Sequence, residues 1–545
     1  MKKLLMITAA AAMLFTACKN KKTMTDLIIR NATIYTADSV FSTAGAMAVK
    51  DGKILAIGSD RDILRAYHAK RIIDLKGKFV YPGLIDAHCH FYGYGLTLSE
   101  ADLSGSLSPE EVVERLKKHA GPDDQDWITG RGWDQNLWPG KEYPGLELLD
   151  SIFPDRPVFL RRIDGHAAWV NSEALRRAGV TPSTKVEGGT FMKKNGRLTG
   201  ILIDNAVDFI GDRVPPPSQR QTEEALTQAE RNCFAVGLTM VGDAGLPYGI
   251  VTLMDSLQIS GRLKIRIAAM LTPNDDNMAG FVLKGPYHTD RLTVRTIKLY
   301  ADGALGSRGA KMKQPYSDDP GNSGLWLTEA GRMEKICRIA RQNGYQVATH
   351  CIGDEANKAV LDLYASILEG PNDLRWRIEH AQIVDPQDMD LFGKYNIIPS
   401  VQTTHATSDM GWAEERIGPE RMKGAYAYHD LLMQNGWLPN GSDFPVEDIN
   451  PLYGFYAAVA RKDRAGNPGA GFLPENALSR EEALRAMTIW AAMASFDEDS
   501  RGSLEAGKWA DFIVTGEDLM TAPESELPGI RVLQTWVQGE QVYGE

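Results

Sequence analysis

Val80-Tyr81-Pro82-Gly83-Leu84-Ile85-Asp86-Ala87-His88-Cys89-His90 is a buried-type strand that ends in His-x-His. Side chains two apart on a strand point to the same side, so His88 and His90 face one point while Cys89 faces away. At the C-terminal mouth of a barrel strand, both imidazoles reach a single metal ion. Such a pair alone is a weak signal, because it also occurs as loop decoration. It gains weight downstream. Gln346-Val347-Ala348-Thr349-His350, Arg375-Trp376-Arg377-Ile378-Glu379-His380 and Pro439-Asn440-Gly441-Ser442-Asp443 each bring a His or Asp to a strand end. The chain has only 10 histidines, and four of them occupy these places. Imidazole nitrogen and carboxylate oxygen are the donor types that zinc and its neighbours take.

Outward from this motif, strands alternate with amphipathic helical stretches, the pattern of an α/β fold. Strand-like runs end near Asp86, Arg162, Asp243, Leu271, Ala301, His350, His380, Gln402 and Asp443. That is one more than an eight-stranded (β/α)8 TIM-type barrel holds. Helices are expected over Pro109–His119, Gln221–Val236, Glu329–Asn343, Asp354–Leu368 and Arg480–Ala492. The two chain ends differ in texture. Leu27–Ile34, Ala46–Val49, Lys53–Ile57, Arg71–Leu75 and Lys78–Val80 are short and β-rich, and read as a small antiparallel sheet. Asp511–Thr515 and Val532–Tyr543 return to that texture. Residues 24–80 plus 500–545 are therefore expected to be halves of one β-sandwich, with the larger body, 81–499, between them. Pro215-Pro216-Pro217 is the clearest hinge. No fixed-period repeat or low-complexity tract is present.

The 545 residues are 43% hydrophobic and 24% charged, ordinary for a globular chain. The net charge of −11 lacks the basic balance of a nucleic-acid binder. Cys18, Cys89, Cys233, Cys337 and Cys351 are scattered with no CxxC pair, so this is no disulfide scaffold. At the start, Lys2 and Lys3 precede an apolar run, Leu4 to Ala17, too short to span a bilayer. Phe15-Thr16-Ala17-Cys18 resembles a bacterial lipobox, with Phe15 where Leu is usual. The expectation is a signal peptide over 1–18 and lipidation at Cys18. That makes an exported lipoprotein, anchored at the periplasmic or outer-membrane face of a bacterium. The competing readings are a plain cleaved signal peptide and a start at Met24.

In order along the chain, the strand-end residues resemble the amidohydrolase superfamily. Its binuclear members use His-x-His on strand 1, a carboxylated Lys on strand 4, His on strands 5 and 6, and Asp on strand 8. Ile297-Lys298-Leu299-Tyr300-Ala301-Asp302-Gly303-Ala304-Leu305-Gly306-Ser307-Arg308 looks like the amidohydrolase 3 branch, in its YtcJ-like and N-substituted formamide deformylase-like part. So do His350-Cys351-Ile352-Gly353-Asp354, Gly165-His166-Ala167-Ala168-Trp169-Val170-Asn171-Ser172 and Leu27-Ile28-Ile29-Arg30-Asn31-Ala32. The resemblance covers Asp26 to Tyr543. It makes Gly237–Asp243 strand 2, the run near Arg162 the supernumerary strand, and residues about 91–220 an insertion in the first βα loop, a lid or pocket wall.

What the resemblance implies is a metal site of His88, His90, Lys298, His350, His380 and Asp443, holding one or two divalent ions, zinc by preference. Lys298 bridges two ions if carboxylated, or makes a salt bridge beside a single ion if not. Asp443 and His380 carry the catalytic role, with Asp443 taking a proton from water and passing it to the leaving nitrogen. His166 is a candidate for hydrogen bonding to substrate, or a packing residue. Trp133, Trp138 and Arg161 or Arg162 are pocket candidates with structural alternatives, and Arg308 pairs with a substrate carboxylate or with Asp302. Cys89 and Cys351 are read as packing residues. The expected function is hydrolysis of an amide-like, N-acyl or N-formyl C–N bond of a small molecule by metal-activated hydroxide. An esterase, lactonase or deaminase on the same site, or a ligand-binding lipoprotein without turnover, are the alternatives. Partners reduce to that small molecule, with no nucleic acid, a membrane contact only through the Cys18 lipid, and room for a homo-oligomer.

Overall fold

The computed structural model describes residues 22–120 and 127–544. The expected export segment, 1–18 with Cys18, lies outside them. Seven parallel strands run in one sheet: β1 (Leu84–Cys89), β2 (Leu238–Leu246), β3 (Arg266–Leu271), β4 (Leu292–Tyr300), β5 (Gln346–Cys351), β6 (Arg377–His380) and β7 (Ile398–Ser400), each paired to the next. β1, β3, β5 and β6 are buried at every position, as strands covered on both faces must be. Residues 439–443 close the circle. Val401 N–H donates to Pro439 O (3.0 Å) and Gly441 N–H to Val401 O (2.9 Å), while Ala87 N–H donates to Asn440 O (3.2 Å) and Asp443 N–H to His88 O (2.8 Å). The result is a TIM-type α/β barrel.

One large apolar cluster joins the outer faces of the strands (Leu84, Val241, Ile267, Ile297, Val347, Ile378) to the surrounding helices (Leu226, Met254, Ile336, Val360, Leu431, Leu484). The barrel interior is lined by smaller groups, with Ala87 beside Ile85 and Met240, and Ala244 and Ala348 on Met270. Those alanines leave room at the mouth for ionisable side chains.

Between β1 and β2 the chain builds a second sheet of six strands, ordered Gly189–Lys194, Arg197–Asp204, Ala167–Val170, Val158–Arg162, Ile128–Trp133, Ala101–Asp102. The run near Arg162 pairs here, outside the barrel. Apolar clusters cover both faces of this sheet.

The chain ends contribute two further sheets. One orders Lys53–Gly58, Ala46–Lys50, Thr23–Arg30 and Tyr67–Asp74; the other orders Glu540–Tyr543, Val532–Val537, Phe512–Thr515, Phe79–Pro82, Thr33–Tyr35 and Thr43–Ala44. Leu27, Met47, Val80, Phe512 and Trp536, from both sheets, share one cluster. Three expectations need correcting. The N-terminal sheet is mixed, not antiparallel, because Thr23–Arg30 pairs in parallel with Tyr67–Asp74. Leu27–Ile34 is not one strand: Asn31 at φ 52° turns the chain out of one sheet and into the other. Likewise Arg480–Ala492 is two helices, Arg480–Ala486 and Ile489–Ala494, broken at Thr488 (φ −137°, ψ −97°). Among the described residues, no helix is long and apolar enough to cross a membrane.

Candidate metal centre

The C-terminal ends of β1, β4, β5, β6 and the closing segment converge. His88 and His90 project together, as their spacing requires, and Cys89 and Cys351 are turned into the outer core. His90 Nε2 lies 3.2 Å and His88 Nε2 3.5 Å from Asp443 Oδ1. Lys298 Nζ is 3.2 Å from His88 Nε2. The rings of His350 and His380 stand edge to face at 4.5 Å, and His380 is 5.1 Å from His88. Donor atoms of His88, His90 and Asp443 all lie within 4.8 Å of one another, as do those of His380, His405 and Asp443.

These residues fit a divalent ion. Asp443 Oδ1 and His380 Nδ1 are buried without a hydrogen-bond partner, an arrangement that native interiors avoid unless something fills it. Ligands about 2.0–2.1 Å from a tetrahedral ion stand about 3.3 Å apart, close to the His90–Asp443 and His88–Asp443 separations. His88 and His90 are both held at Nδ1, whereas His350 is held at Nε2, 3.4 Å from Gly303 O. His88 Nδ1 is held by Glu379, whose other oxygen accepts from Arg377 Nε at 2.5 Å. His90 Nδ1 is held by Ala244 O at 3.2 Å. Such outer partners fix which nitrogen faces an ion.

Charge states suit the same purpose. Burial and then the Lys298 ammonium push His88 down to about 4, against Glu379. Burial, followed by neighbouring cations and imidazoles, holds His350 and His380 well below the usual histidine value. All three are neutral donors at pH 7. Burial brings Lys298 down to about 8 although Glu379 and Asp443 oppose it, so a minor neutral amine fraction exists near neutrality. Asp443 is driven the other way: burial would raise it, but His405 and His90 hold it well below the carboxylate range.

Backbone conformation is constrained at the site. His380 (φ 73°) and Asp443 (φ 63°) occupy the left-handed region, at a cost of roughly 1–3 kcal/mol each. Asp86 holds the closing segment in place. It accepts from His88 N (3.1 Å), Ser442 N (3.1 Å) and Ser442 Oγ (2.6 Å). Gly441 allows the approach, since a Cβ there would lie 2.5 Å from His88 N.

The family profile of the amidohydrolases matches residues 71–543. The chain belongs to the amidohydrolase family. Protein LONG AFTER FAR-RED 3 of Arabidopsis thaliana is 35% identical over 540 residues, 95% of this chain and 91% of that protein. An N-substituted formamide deformylase of Arthrobacter pascens is 27% identical over 544 residues, 95% of this chain and 98% of that one. The crystal structure of an uncharacterized metal-dependent hydrolase from Pyrococcus horikoshii superposes with a TM-score of 0.76 at 29% identity, covering 91% of this chain and 99% of that one.

In this amidohydrolase, a cavity of about 350 Å³ opens over the centre. Barrel residues form its floor, the inserted sheet supplies Asp134, Leu137, Arg162, Ile163, Asp164 and His166, and Trp412, Val446 and Glu447 close the far side. His166 faces the cavity with its ring 5.1 Å from His350 and its Nδ1 2.8 Å from Asp204 Oδ1. Arg162 lines the cavity too, but its guanidinium is spent on Asp134, Asp164 and Gln135. The other pocket candidates lie elsewhere. Trp133 is fully buried in the inserted domain, donates to Leu160 O at 2.9 Å and stacks on Trp138. Trp138 donates to Ser106 O. Arg308 pairs with Asp318 (2.8 Å), not Asp302, and is absent from the cavity wall. Asp302 instead accepts from the Lys311, Ile352 and Gly353 amides, locking the loop beyond His350.

Three residues at the site escaped the sequence reading: His405, Glu447 and the brace Glu379. His405 sits three residues beyond the strand end at Gln402, so its signal was the same strand-end placement that marked the others. Glu379 carried a weaker one, being the neighbour of His380.

Proposed function

We propose that this amidohydrolase is a metal-dependent hydrolase of a C–N bond in a small amide, N-acyl or N-formyl compound. The observation that carries the reading is the convergence of the braced imidazoles of His88 and His90 on the buried Asp443 Oδ1 beneath a cavity of small-molecule size. Pockets of ~300–1,000 Å³ are typical for such ligands. The Pyrococcus horikoshii structure and the Arthrobacter pascens deformylase support metal dependence and amide chemistry respectively.

His88, His90, His350, His380 and Asp443 would hold one or two divalent ions, with zinc the best match to the donor set and Lys298 a bridge once carboxylated. A bound ion supplies Lewis acidity toward a carbonyl and makes water acidic near pH 7. Asp443, ionised and turned into the cavity, takes the proton of the attacking water and delivers it to the leaving nitrogen. His166, tethered at Nδ1 by Asp204 and lining the cavity, would hydrogen-bond the substrate. The two sheets at the chain ends form a β-sandwich that supports the barrel from outside. Export as a lipoprotein modified at Cys18 belongs to the same proposal, tested by the mass of the mature N-terminus.

The test is purified protein with its metal content measured, assayed on N-formyl amines, N-acyl amines, cyclic amides, esters, lactones and amino-substituted rings. Turnover of an amide class above the others supports the reading. Preference for esters, lactones or deamination replaces it, and metal-independent or absent turnover on every class overturns it.

A further inference from the structure

His405 lies in helix Thr403–Asp409, which follows β7, and its side chain reaches the metal centre from a strand that contributes none of the expected ligands. Its Nε2 is 3.4 Å from Asp443 Oδ2, and its Nδ1 is 3.1 Å from Glu447 Oε1. That same Glu447 oxygen accepts from Ser408 Oγ at 2.6 Å. The two oxygens of Asp443 thus have separate surroundings: Oδ1 faces His88 and His90, and Oδ2 faces His405.

We infer that His405 is a positioning residue for Asp443, and that Glu447 in turn orients His405. The inference rests on the reading of Asp443 as ligand and proton carrier. A carboxylate with both duties must keep one oxygen toward the ion and present the other in a constant direction. Rotation about its terminal torsion exchanges the two oxygens, and terminal carboxylate torsions are broad. The His405 Nε2 held 3.4 Å from Oδ2 restricts that freedom by attracting one oxygen to a fixed side. Glu447 does for His405 what Glu379 does for His88: it engages Nδ1 and turns Nε2 inward. Both ring nitrogens of His405 are committed to protein carboxylates, which leaves no donor or acceptor for substrate.

A purely scaffolding role does not account for this placement. The helix is anchored independently of His405. Thr403 N–H donates to Asn440 Oδ1 (3.0 Å) and Thr403 Oγ1 to Gly454 O (2.7 Å). The imidazole is directed at the one carboxylate the chemistry needs, not at the packing behind it.

The experiment uses the full chain loaded with cobalt(II), as wild type, His405→Ala, His405→Gln and Glu447→Gln. Metal content, the visible cobalt spectrum, kcat and KM are measured for each, with the best amide substrate from the panel above. His405→Ala lowers kcat roughly 10–100-fold, the usual effect of removing an outer partner, with KM and metal content unchanged and the cobalt bands shifted. His405→Gln, whose amide N–H falls near the Nε2 position, recovers most of the rate and the wild-type spectrum. Glu447→Gln shows a smaller loss in the same direction. The inference is overturned if His405→Ala leaves kcat and spectrum unaltered, if it loses a metal equivalent (a ligand role), or if only KM rises (a substrate contact). Should no amide be turned over, the hydrolase reading fails on its own, and the spectra of the Ala and Gln variants still decide the role of His405.

Discussion

Replacing Glu379 by Gln tests how the first pair of histidines is held. Glu379, Arg377 and His88 are each at most 1% exposed as side chains. One Glu379 oxygen takes the Arg377 Nε–H at 2.5 Å and the other meets His88 Nδ1. With charge centres about 4 Å apart and an effective dielectric constant near 20, the Glu379–Arg377 attraction is about 4 kcal/mol. Gln preserves the shape but removes the charge, and its amide N–H₂ must confront one of two donors. Arg377 keeps its bond to Ala87 O (3.0 Å) and a weak one to Met270 Sδ (3.9 Å). Orphaning one partner of a buried pair costs ~3–5 kcal/mol. Loss of the Nδ1 brace on His88 weakens metal affinity by a further ~10–100-fold. The assay is guanidinium denaturation of the metal-free protein beside a chelator-competition titration. The expected result is a lower midpoint for Glu379→Gln and a weaker dissociation constant at the same stoichiometry. An unchanged midpoint with affinity within twofold of wild type would refute the argument that this acid anchors the site.

Gly441→Ala forces a methyl group within 2.5 Å of the His88 amide, so the closing segment must shift. Stability falls by ~1–3 kcal/mol, and affinity for metal falls with it, read in the same titration. Trp133→Ala removes a fully buried ring from the inserted domain and lowers stability by ~3–5 kcal/mol. KM of the folded fraction stays unchanged, and a large KM change would return Trp133 to the pocket wall. Asp511 accepts from Arg266 Nε (2.6 Å) and Nη2 (3.0 Å); burial opposes its ionisation, but Arg266 prevails and holds it below the usual carboxylate value. Because the folded value is the lower one, its stabilisation is complete above about pH 4, near the unfolded value, and disappears as pH falls through the folded value. Asp511→Asn is therefore weaker at pH 7 by ~3–5 kcal/mol, and the gap narrows at pH 3. A constant gap across that range would contradict this. Chelation lowers the unfolding midpoint, since an ion at 1,000 times its Kd contributes ~4 kcal/mol; equal melting with and without chelator would oppose the metal reading.

Strand-end placement made much of the centre readable in advance. His88, His90, His350, His380 and Asp443 were visible because a barrel presents its strand termini at one face, and a residue at the end of an apolar run has few other destinations; Lys298, inside its strand, entered only through the family resemblance. Lines of hydrogen bonding across the sequence were less visible. Glu379 braces His88 from 291 positions away, and Glu447 meets His405 from a different loop. Neither pairing has a periodicity to mark it. Trp133 and Arg308 show the opposite problem. An aromatic or a cation in a loop near the site suggests a substrate contact, yet the inserted segment has its own core to fill, and Asp318 lies close enough to occupy Arg308. The parallel pairing of Thr23–Arg30 with Tyr67–Asp74 was hidden because alternation reports which face is buried and is silent on strand direction.

Phe79–Pro82 pairs on one side with Thr33–Tyr35 and on the other with Phe512–Thr515, in the register Val80 to Val514. During synthesis the first partner is already present, whereas the second arrives after roughly 430 further residues. At about 5–20 residues per second, that interval is roughly 20–90 s. Throughout it, the backbone edge of Phe79–Pro82 and the apolar side chains that later meet Phe512 and Trp536 have no cover. A nascent chain thus carries an open strand edge at Phe79–Pro82 until Phe512–Thr515 has emerged to pair with it.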